Sequence, residues 1–276
     1  MNPHAAHSTS LKALVNSLWR NRQLILQMTR REVVGRYKGS SVGLLWSFLN
    51  PVFMLIVYTF VFSVVFKARW GVGGEENRSL FALVLFVGMI VHALFTEVLN
   101  RAPSLILTNV NYVKKVIFPL EILVVIAMGV ALFHAFVSLS VLLAAFVLIN
   151  GSLHWTAVFA PIVFLPLVIF TLGLSWILAS LGVFLRDVGQ TIGIVTTVMM
   201  FVSPVFYPVT ALPEQFRPWI MANPLTFIIE QARDVLIWGH LPNWIGLAIY
   251  TIVAIVVAWA GYAWFQKTRK GFADVL

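Results

Sequence analysis

Four cations, Arg30, Arg31, Arg36 and Lys38, are gathered in one short stretch of the chain, and Tyr37, Ser40 and Ser41 are threaded among and just after the last of them. Arginine offers two parallel N–H donors to a phosphate or carboxylate and lysine a compact point charge, so the group suits a phosphate or pyrophosphate oxyanion. Gly35, Gly39 and Gly43 recur every four residues through the same stretch. That composition is poor for a membrane helix and good for a flexible, hydroxyl-rich segment at a bilayer surface. An anchor for anionic lipid at the inner face would account for the charges alone. It does not account for the tyrosine, the serines and the three glycines between them. Arg36, Tyr37 and Lys38 are therefore the candidate oxyanion ligands and gate, with Arg31 behind them.

Other chemistry is sparse. His92, His134 and Glu97 are the histidines and the acid of the apolar runs, with Glu97 near the inner end of its run. A lone histidine on an apolar helix is ordinarily packed and hydrogen-bonded. Carriers coupled to ions or protons need intramembrane carboxylates, and no acid lies deeper than Glu97, so the energy for uphill movement is expected to enter from another subunit. The sequence has no GxxxxGK[ST], HExxH or GxSxG pattern and no paired-acid loop, which excludes a P-loop and the common hydrolase signatures. Zero cysteines exclude disulfides and thiolate metal sites. No catalytic residue, metal or cofactor is expected in this chain, and Asp187 beside Arg186 reads as a local surface ion pair. Aromatic residues form the last group. Trp46, Phe53 and Phe60 recur at seven, and Tyr58, Phe62 and Phe66 at four, so each set shares a helix face. Rings flanking a conduit can stack on sugar faces, and the same rings serve helix packing and lipid contact; Trp46, Phe53, Tyr58, Phe60 and Phe62 are the candidate channel-lining set.

The elements that must position these residues are transmembrane helices. Of 276 residues, 60% are hydrophobic and only 11% charged, the composition of an all-α polytopic membrane protein. The formal charge of +9 is then a matter of location, pointing to membrane lipids and not nucleic acid. Six apolar runs are expected as spans, at about 43–66, 80–99, 122–150, 157–185, 188–207 and 244–265, the first kinked at Pro51. The first apolar run begins too late for a cleavable signal peptide and is expected to be its own insertion signal. Upstream, residues 10–31 read as one amphipathic interface helix, with Leu11, Leu14, Val15, Leu18, Trp19, Ile25 and Met28 on one face and Arg22 out of place among them. Fourteen of the nineteen Lys and Arg residues fall in segments that are inner if the N-terminus is inside, which places both termini in the cytoplasm.

Two connections are unusual. The outer stretch 208–243 carries five prolines yet stays apolar. Within it Asn223 as N-cap, Pro224 at the first helical position and Gly239 past the end bracket a helix whose apolar face is Ile228, Ile229, Ala232, Val235 and Leu236. Residues 214–238 then form two short helices that either dip back into the outer leaflet or lie along its surface. The inner loop 101–121 holds a short helical stretch between Pro103 and Pro119, bearing Thr108, Asn109, Asn111, Tyr112, Lys114 and Lys115. Such a helix docks into a partner's groove or lies on the membrane surface.

Taken together, TRREVVGRYKGSSVGLLWSFLNPVFMLIVYTFVFSVVF, NYVKKVIFPLEIL, FLRDVGQ, YPVTALP and NPLTFIIEQARDVLIWG run in the order, and over nearly the length, of the membrane permease subunit of ABC-2 type exporters. The resemblance is closest to the O-antigen polysaccharide exporter permease and more distant to teichoic acid and capsule permeases. It implies a homodimer of six-helix subunits in the bacterial inner membrane. Two copies of a P-loop ATPase would carry the ATP and Mg, and the conduit would pass a glycan on undecaprenyl diphosphate. By the same resemblance, residues 10–31 are the interface helix, 35–41 the gate loop, 103–116 the coupling helix and 214–238 the re-entrant helices. The domains implied are a cytoplasmic N-terminus over 1–42, a transmembrane domain over 43–265 and a cytoplasmic tail over 266–276. A membrane-embedded enzyme acting on polyprenyl phosphate is the alternative of a different class, and it lacks the clustered acids or metal motif it needs.

Overall fold

The computed structural model describes residues 8–65, 78–114 and 118–276, and among these the ordered elements are helices and turns. The expected single helix over 10–31 is two: α1, Leu11–Arg20, and α2, Arg22–Tyr37. Ser10 caps α1 by accepting the Ala13 N–H at 3.2 Å. Asn21 ends it, its side-chain amide donating to the Ser17 carbonyl at 2.8 Å and so competing with the helical backbone. The break accounts for Arg22, which opens α2 instead of interrupting the stripe of α1. Its guanidinium donates to the Trp19 carbonyl and lies over the Trp19 ring, 4.8 Å from its centroid. Leu14 of α1 and Met28 and Val33 of α2 are buried, while Val15 and Trp19 stay exposed.

Next come α3, Trp46–Tyr58, with Pro51 inside it and a π-type continuation over Thr59–Val65; α4, Arg78–Arg101; and the short α5, Val110–Lys114. They are followed by α6, Ile122–Asn150, α7, Ala160–Phe184, and α8, Val188–Val202. Among the described residues five helical stretches are long and apolar enough to cross a membrane: Gly43–Phe62, Leu80–Ser104, Ile122–Asn150, Trp155–Phe184 and Trp244–Val275. The apolar runs predict six. The one that falls short is α8, whose 15 residues span roughly 22 Å against a hydrocarbon core of about 30 Å. It stops at Ser203 (φ −85°, ψ 152°) because Pro204 excludes the helical conformation from the residue before it.

The core is organised around α4, whose apolar window is 83% buried, against 6% for that of α3. The longest packed pair is α7 with α11, Trp244–Thr268. There Gly173 and Gly261 bring the two backbones into direct contact. A Cβ on Gly261 would overlap the Gly173 carbonyl, and one on Gly173 would lie 2.6 Å from the Val257 backbone. Beyond α11 the expected tail is ordered, with a 3₁₀ turn over Arg269–Gly271 and α12, Phe272–Val275, burying Phe272.

At the other end of the bundle lie α9, Arg217–Met221, and α10, Pro224–Arg233, continued as a π-type turn over Asp234–Trp238. Asn223 caps α10 by accepting the Leu225 N–H at 2.9 Å, and Gly239 closes the turn at φ 72°, as the bracketing residues predict. The expected apolar face is fully buried, but so are Leu225, Thr226 and Ile237 around it, because α10 is wedged between α4 and α7. Arg233 pins the wedge. Its buried guanidinium donates to the carbonyls of Val84 at 3.1 Å and Val205 at 3.0 Å and pairs with Glu230 at 2.9 Å. Burial lowers its pKa to about 10, against the pull of Glu230, which leaves it charged at neutral pH.

Candidate functional site

The expected gate loop over 35–41 begins as helix. Arg36 and Tyr37 belong to the last turn of α2, and the chain leaves the helix only at Lys38, whose N–H donates to the Gly35 carbonyl. Gly39 at φ 88° and Gly43 at φ 58° then turn it toward α3. Nothing lies within 4 Å of a Cβ built on either one, so the left-handed backbone, not crowding, is what calls for glycine.

What holds the last turn is a charged network reaching α4 and α6. The Arg36 guanidinium lies 2.5 Å from Glu97 Oε1. His134 Nδ1 is 2.9 Å from Glu97 Oε2, and the Tyr37 hydroxyl is 3.2 Å from His134 Nε2. A carboxylate can only accept, so the bond to Glu97 places a hydrogen on Nδ1, and Nε2 and the Tyr37 hydroxyl, each able to donate or accept, share the other bond. The 3.1 Å approach of Arg36 to Nδ1 then follows from two donors sharing one carboxylate. Burial, aided by the Glu97 charge and opposed by Arg36, pushes the Tyr37 phenol above its usual pKa, which keeps it a donor. A second ion pair, Arg101 with Glu32 at 2.6 Å, also bridges α4 to α2.

Above the network is a cavity of about 360 Å³. Its polar lining includes Arg36, Tyr37, Glu97, His134, Asn50 and Ser138, and its apolar part includes Met54, Tyr58, Phe86 and Ile90. The arrangement places a guanidinium and a phenol at the foot of an amphipathic pocket walled by α3, α4 and α6. Arg31 and Lys38 are exposed and do not line it. Of the expected aromatics, Tyr58 lines the cavity. Phe62 packs between Phe81 and Phe206, each at a ring-centroid distance of 5.9 Å, while Trp46 and Phe53 on α3 and Phe60 on its π-type continuation are exposed. Phe66 lies outside the described residues.

Sequence reasoning left out Glu97 and His134 as partners of Arg36. Glu97, expected near the inner end of its run, lies in the wall of this cavity, its side chain only 18% exposed. The one available signal was His134, the lone titratable residue within an otherwise apolar 29-residue helix. His92, in contrast, is packed as expected, against the Thr196 carbonyl at 3.1 Å.

The described part of the 103–116 stretch is a run of short turns over Ala102–Ser104 and Leu107–Asn109 followed by α5. Thr108 and Asn109 spend their side chains on the Ser104 and Leu105 carbonyls. Asn111 is exposed and Tyr112 stacks on Phe118 at 4.3 Å. The side chain of Lys114 and the whole of Lys115 lie outside the described residues. Just beyond, Glu121 gathers four segments. It pairs with Arg269 at 3.0 Å and accepts from the Ser17 hydroxyl at 2.7 Å, while its own carbonyl accepts from Trp176 Nε1 at 3.0 Å. Arg269 reaches on to the Phe118 carbonyl at 2.8 Å, bracing the ring on which Tyr112 stacks.

The family model described as ABC-2 type transporter matches residues 23–237. Over 263 residues the chain is 28% identical to the O-antigen export system permease protein RfbA of Myxococcus xanthus, covering 95% of this chain and 98% of that one. It is also 28% identical over 256 residues to RfbA of Klebsiella pneumoniae, covering 92% and 95%. The polysialic acid transport protein KpsM of Escherichia coli is 23% identical over 252 residues, covering 87% and 91%.

Proposed function

Because the chain belongs to the ABC-2 type transporter family and is a transport permease, not an enzyme, we propose that it exports an O-antigen type polysaccharide across the bacterial inner membrane. In this reading two copies form the conduit and two copies of a separate P-loop ATPase, carrying ATP and Mg, drive it. The exported glycan is carried on undecaprenyl diphosphate. The end-to-end similarity to O-antigen export permeases supports this choice of polymer, and the lower identity to the polysialic acid transport protein makes a capsule polymer the second reading.

The observation that carries a gate role is the seating of Arg36 and Tyr37 at the foot of the half-apolar cavity between α3, α4 and α6. A diphosphate joined to a polyprenyl chain and a glycan needs such a place, with donors for its oxygens beside an apolar wall. Arg31 and Lys38 add positive field along the approach. Residues 103–116 are the segment that meets the ATPase. The segment 214–238 is an outer re-entrant lid, α8 serves as a sixth span together with the turn after it, and both termini are cytoplasmic. In domain terms, 1–42 is interface helix and gate, 43–265 the transmembrane unit and 266–276 a cytoplasmic end.

The test is complementation of a deletion strain. The wild-type chain restores surface polymer, and its absence traps lipid-linked glycan in the cytoplasm. A chain with Arg36→Ala and Lys38→Ala inserts at normal levels yet leaves glycan trapped; normal surface polymer from that variant removes the gate role.

A further inference from the structure

In the structure Arg36 is already engaged, and its engagement bears on how an anion binds. Its guanidinium is paired with Glu97, and the Glu97 carboxylate is held a second time by His134. A dianion arriving at Arg36 therefore competes with a carboxylate fixed in the cavity wall. Glu32, four residues earlier on the same helix, does not stand ready as a replacement acid, since it is paired with Arg101.

We propose that Glu97 and His134 are specificity-determining residues: Glu97 is a built-in competitor for Arg36, so only a phosphate-type oxyanion of high charge displaces it, and His134 retains the displaced carboxylate. This rests on the reading of Arg36 as an oxyanion ligand. The chemistry is ion-pair exchange, in which one Arg36–carboxylate contact is replaced by one Arg36–phosphate contact. Glu97 stays bonded to His134 Nδ1–H at 2.9 Å throughout. A singly charged or neutral ligand offers Arg36 no better partner than the one it has, whereas a pyrophosphate offers bidentate oxygens and greater charge. Arg36 is 51% exposed and Glu97 18%, so the anion reaches the arginine from the open side while the competitor stays in the wall.

The prediction runs opposite to damage. With the full-length permease in phosphatidylcholine nanodiscs and inorganic pyrophosphate as the probe, Glu97→Gln binds about tenfold more tightly than wild type. That is the low end of what a charge-assisted hydrogen bond is worth, scaled down for the exposure of Arg36. The double variant Glu97→Gln with Arg36→Ala loses the gain. His134→Gln, which keeps a donor but lacks the ring, binds less tightly than Glu97→Gln. Nanodiscs containing phosphatidylglycerol separate the two sources of phosphate. If the singly charged headgroup suppresses pyrophosphate binding in Glu97→Gln but not in wild type, Glu97 excludes the lipid and the exchange serves the diphosphate, as proposed; if it suppresses binding by wild type equally, a single charge displaces Glu97 and the inference is overturned. Unchanged or weaker pyrophosphate binding by Glu97→Gln, in a variant whose Arg36→Ala counterpart loses binding, overturns the inference and leaves the gate reading intact. Arg36→Ala without effect on binding overturns the gate reading itself.

Discussion

Replacing Arg269 by Ala tests whether the segment after α11 braces the stretch assigned to the ATPase. The perturbation leaves the Glu121 carboxylate, 7% exposed, with the Ser17 hydroxyl but without its cation, and leaves the Phe118 carbonyl without its donor. Arg269 itself is 15% exposed, so water screens the pair little, and breaking a buried pair by removing one partner costs about 3–5 kcal/mol. For a chain of this size each kilocalorie corresponds to roughly 2–4 °C in Tm, which predicts a fall on the order of 10 °C. Arg269→Lys keeps the charge but cannot hold Glu121 and the Phe118 carbonyl in one planar fork; its cost is about one hydrogen bond, near 1 kcal/mol. The double change Glu121→Leu with Arg269→Met removes both charges together and is expected to melt above Arg269→Ala but below wild type, since an apolar pair often replaces a buried ion pair at no loss while the Phe118 carbonyl and Ser17 hydroxyl still lose their partners. Tryptophan fluorescence during thermal unfolding in detergent reads all three. An Arg269→Ala protein that melts within a degree or two of wild type refutes the reasoning, because the pair would then contribute nothing.

Gly261→Ala puts a methyl group into the Gly173 carbonyl, and two backbones cannot both step aside. The cost is about 1–3 kcal/mol, read as a lower Tm with a parallel loss of monodisperse protein on size exclusion; wild-type behaviour would show that α7 and α11 separate freely. Arg233→Met keeps the apolar stem of the side chain and strips donors from the buried Val84 and Val205 carbonyls. At about 1–3 kcal/mol for each acceptor left unsatisfied, α10 is expected to loosen first, seen as faster hydrogen exchange over Pro224–Arg233 than over α7.

Much of the fold was legible because helices in lipid leave few choices. Apolar runs longer than a bilayer become spans, and Asn223, Pro224 and Gly239 bracket α10 by backbone chemistry alone. The failures have identifiable causes. At 10–31 the apolar stripe continued across Asn21, and periodicity carries no information about one side chain that bonds back to Ser17. At 188–207 the composition stayed apolar through Pro204, and a count of apolar residues does not register a proline that stops the helix five residues before the run ends. At Arg233 nothing local reveals that the carbonyls waiting for it belong to Val84 and Val205, 149 and 28 positions away.

The site shows the same limit more sharply, since local reasoning favours the wrong partner. Glu32 and Arg36 are four apart on α2, the spacing at which a helix pairs its own charges. Glu97 and Arg101 are four apart on α4, the same arrangement again. Each helix could have satisfied itself, yet the structure exchanges partners, joining Arg36 to Glu97 across 61 positions and Glu32 to Arg101 across 69. The exchange requires the two helices to cross antiparallel at this end, so that the later charge of one meets the earlier charge of the other. One pair within each helix would have tied neither to the other, whereas two pairs between them, added to the packing of α2 on α6, set the position of the turn carrying Arg36 and Tyr37. An anion that takes Arg36 from Glu97 dissolves one of these two ties and leaves the other. That is the physical route by which binding at the foot of the cavity can move α2 without detaching it.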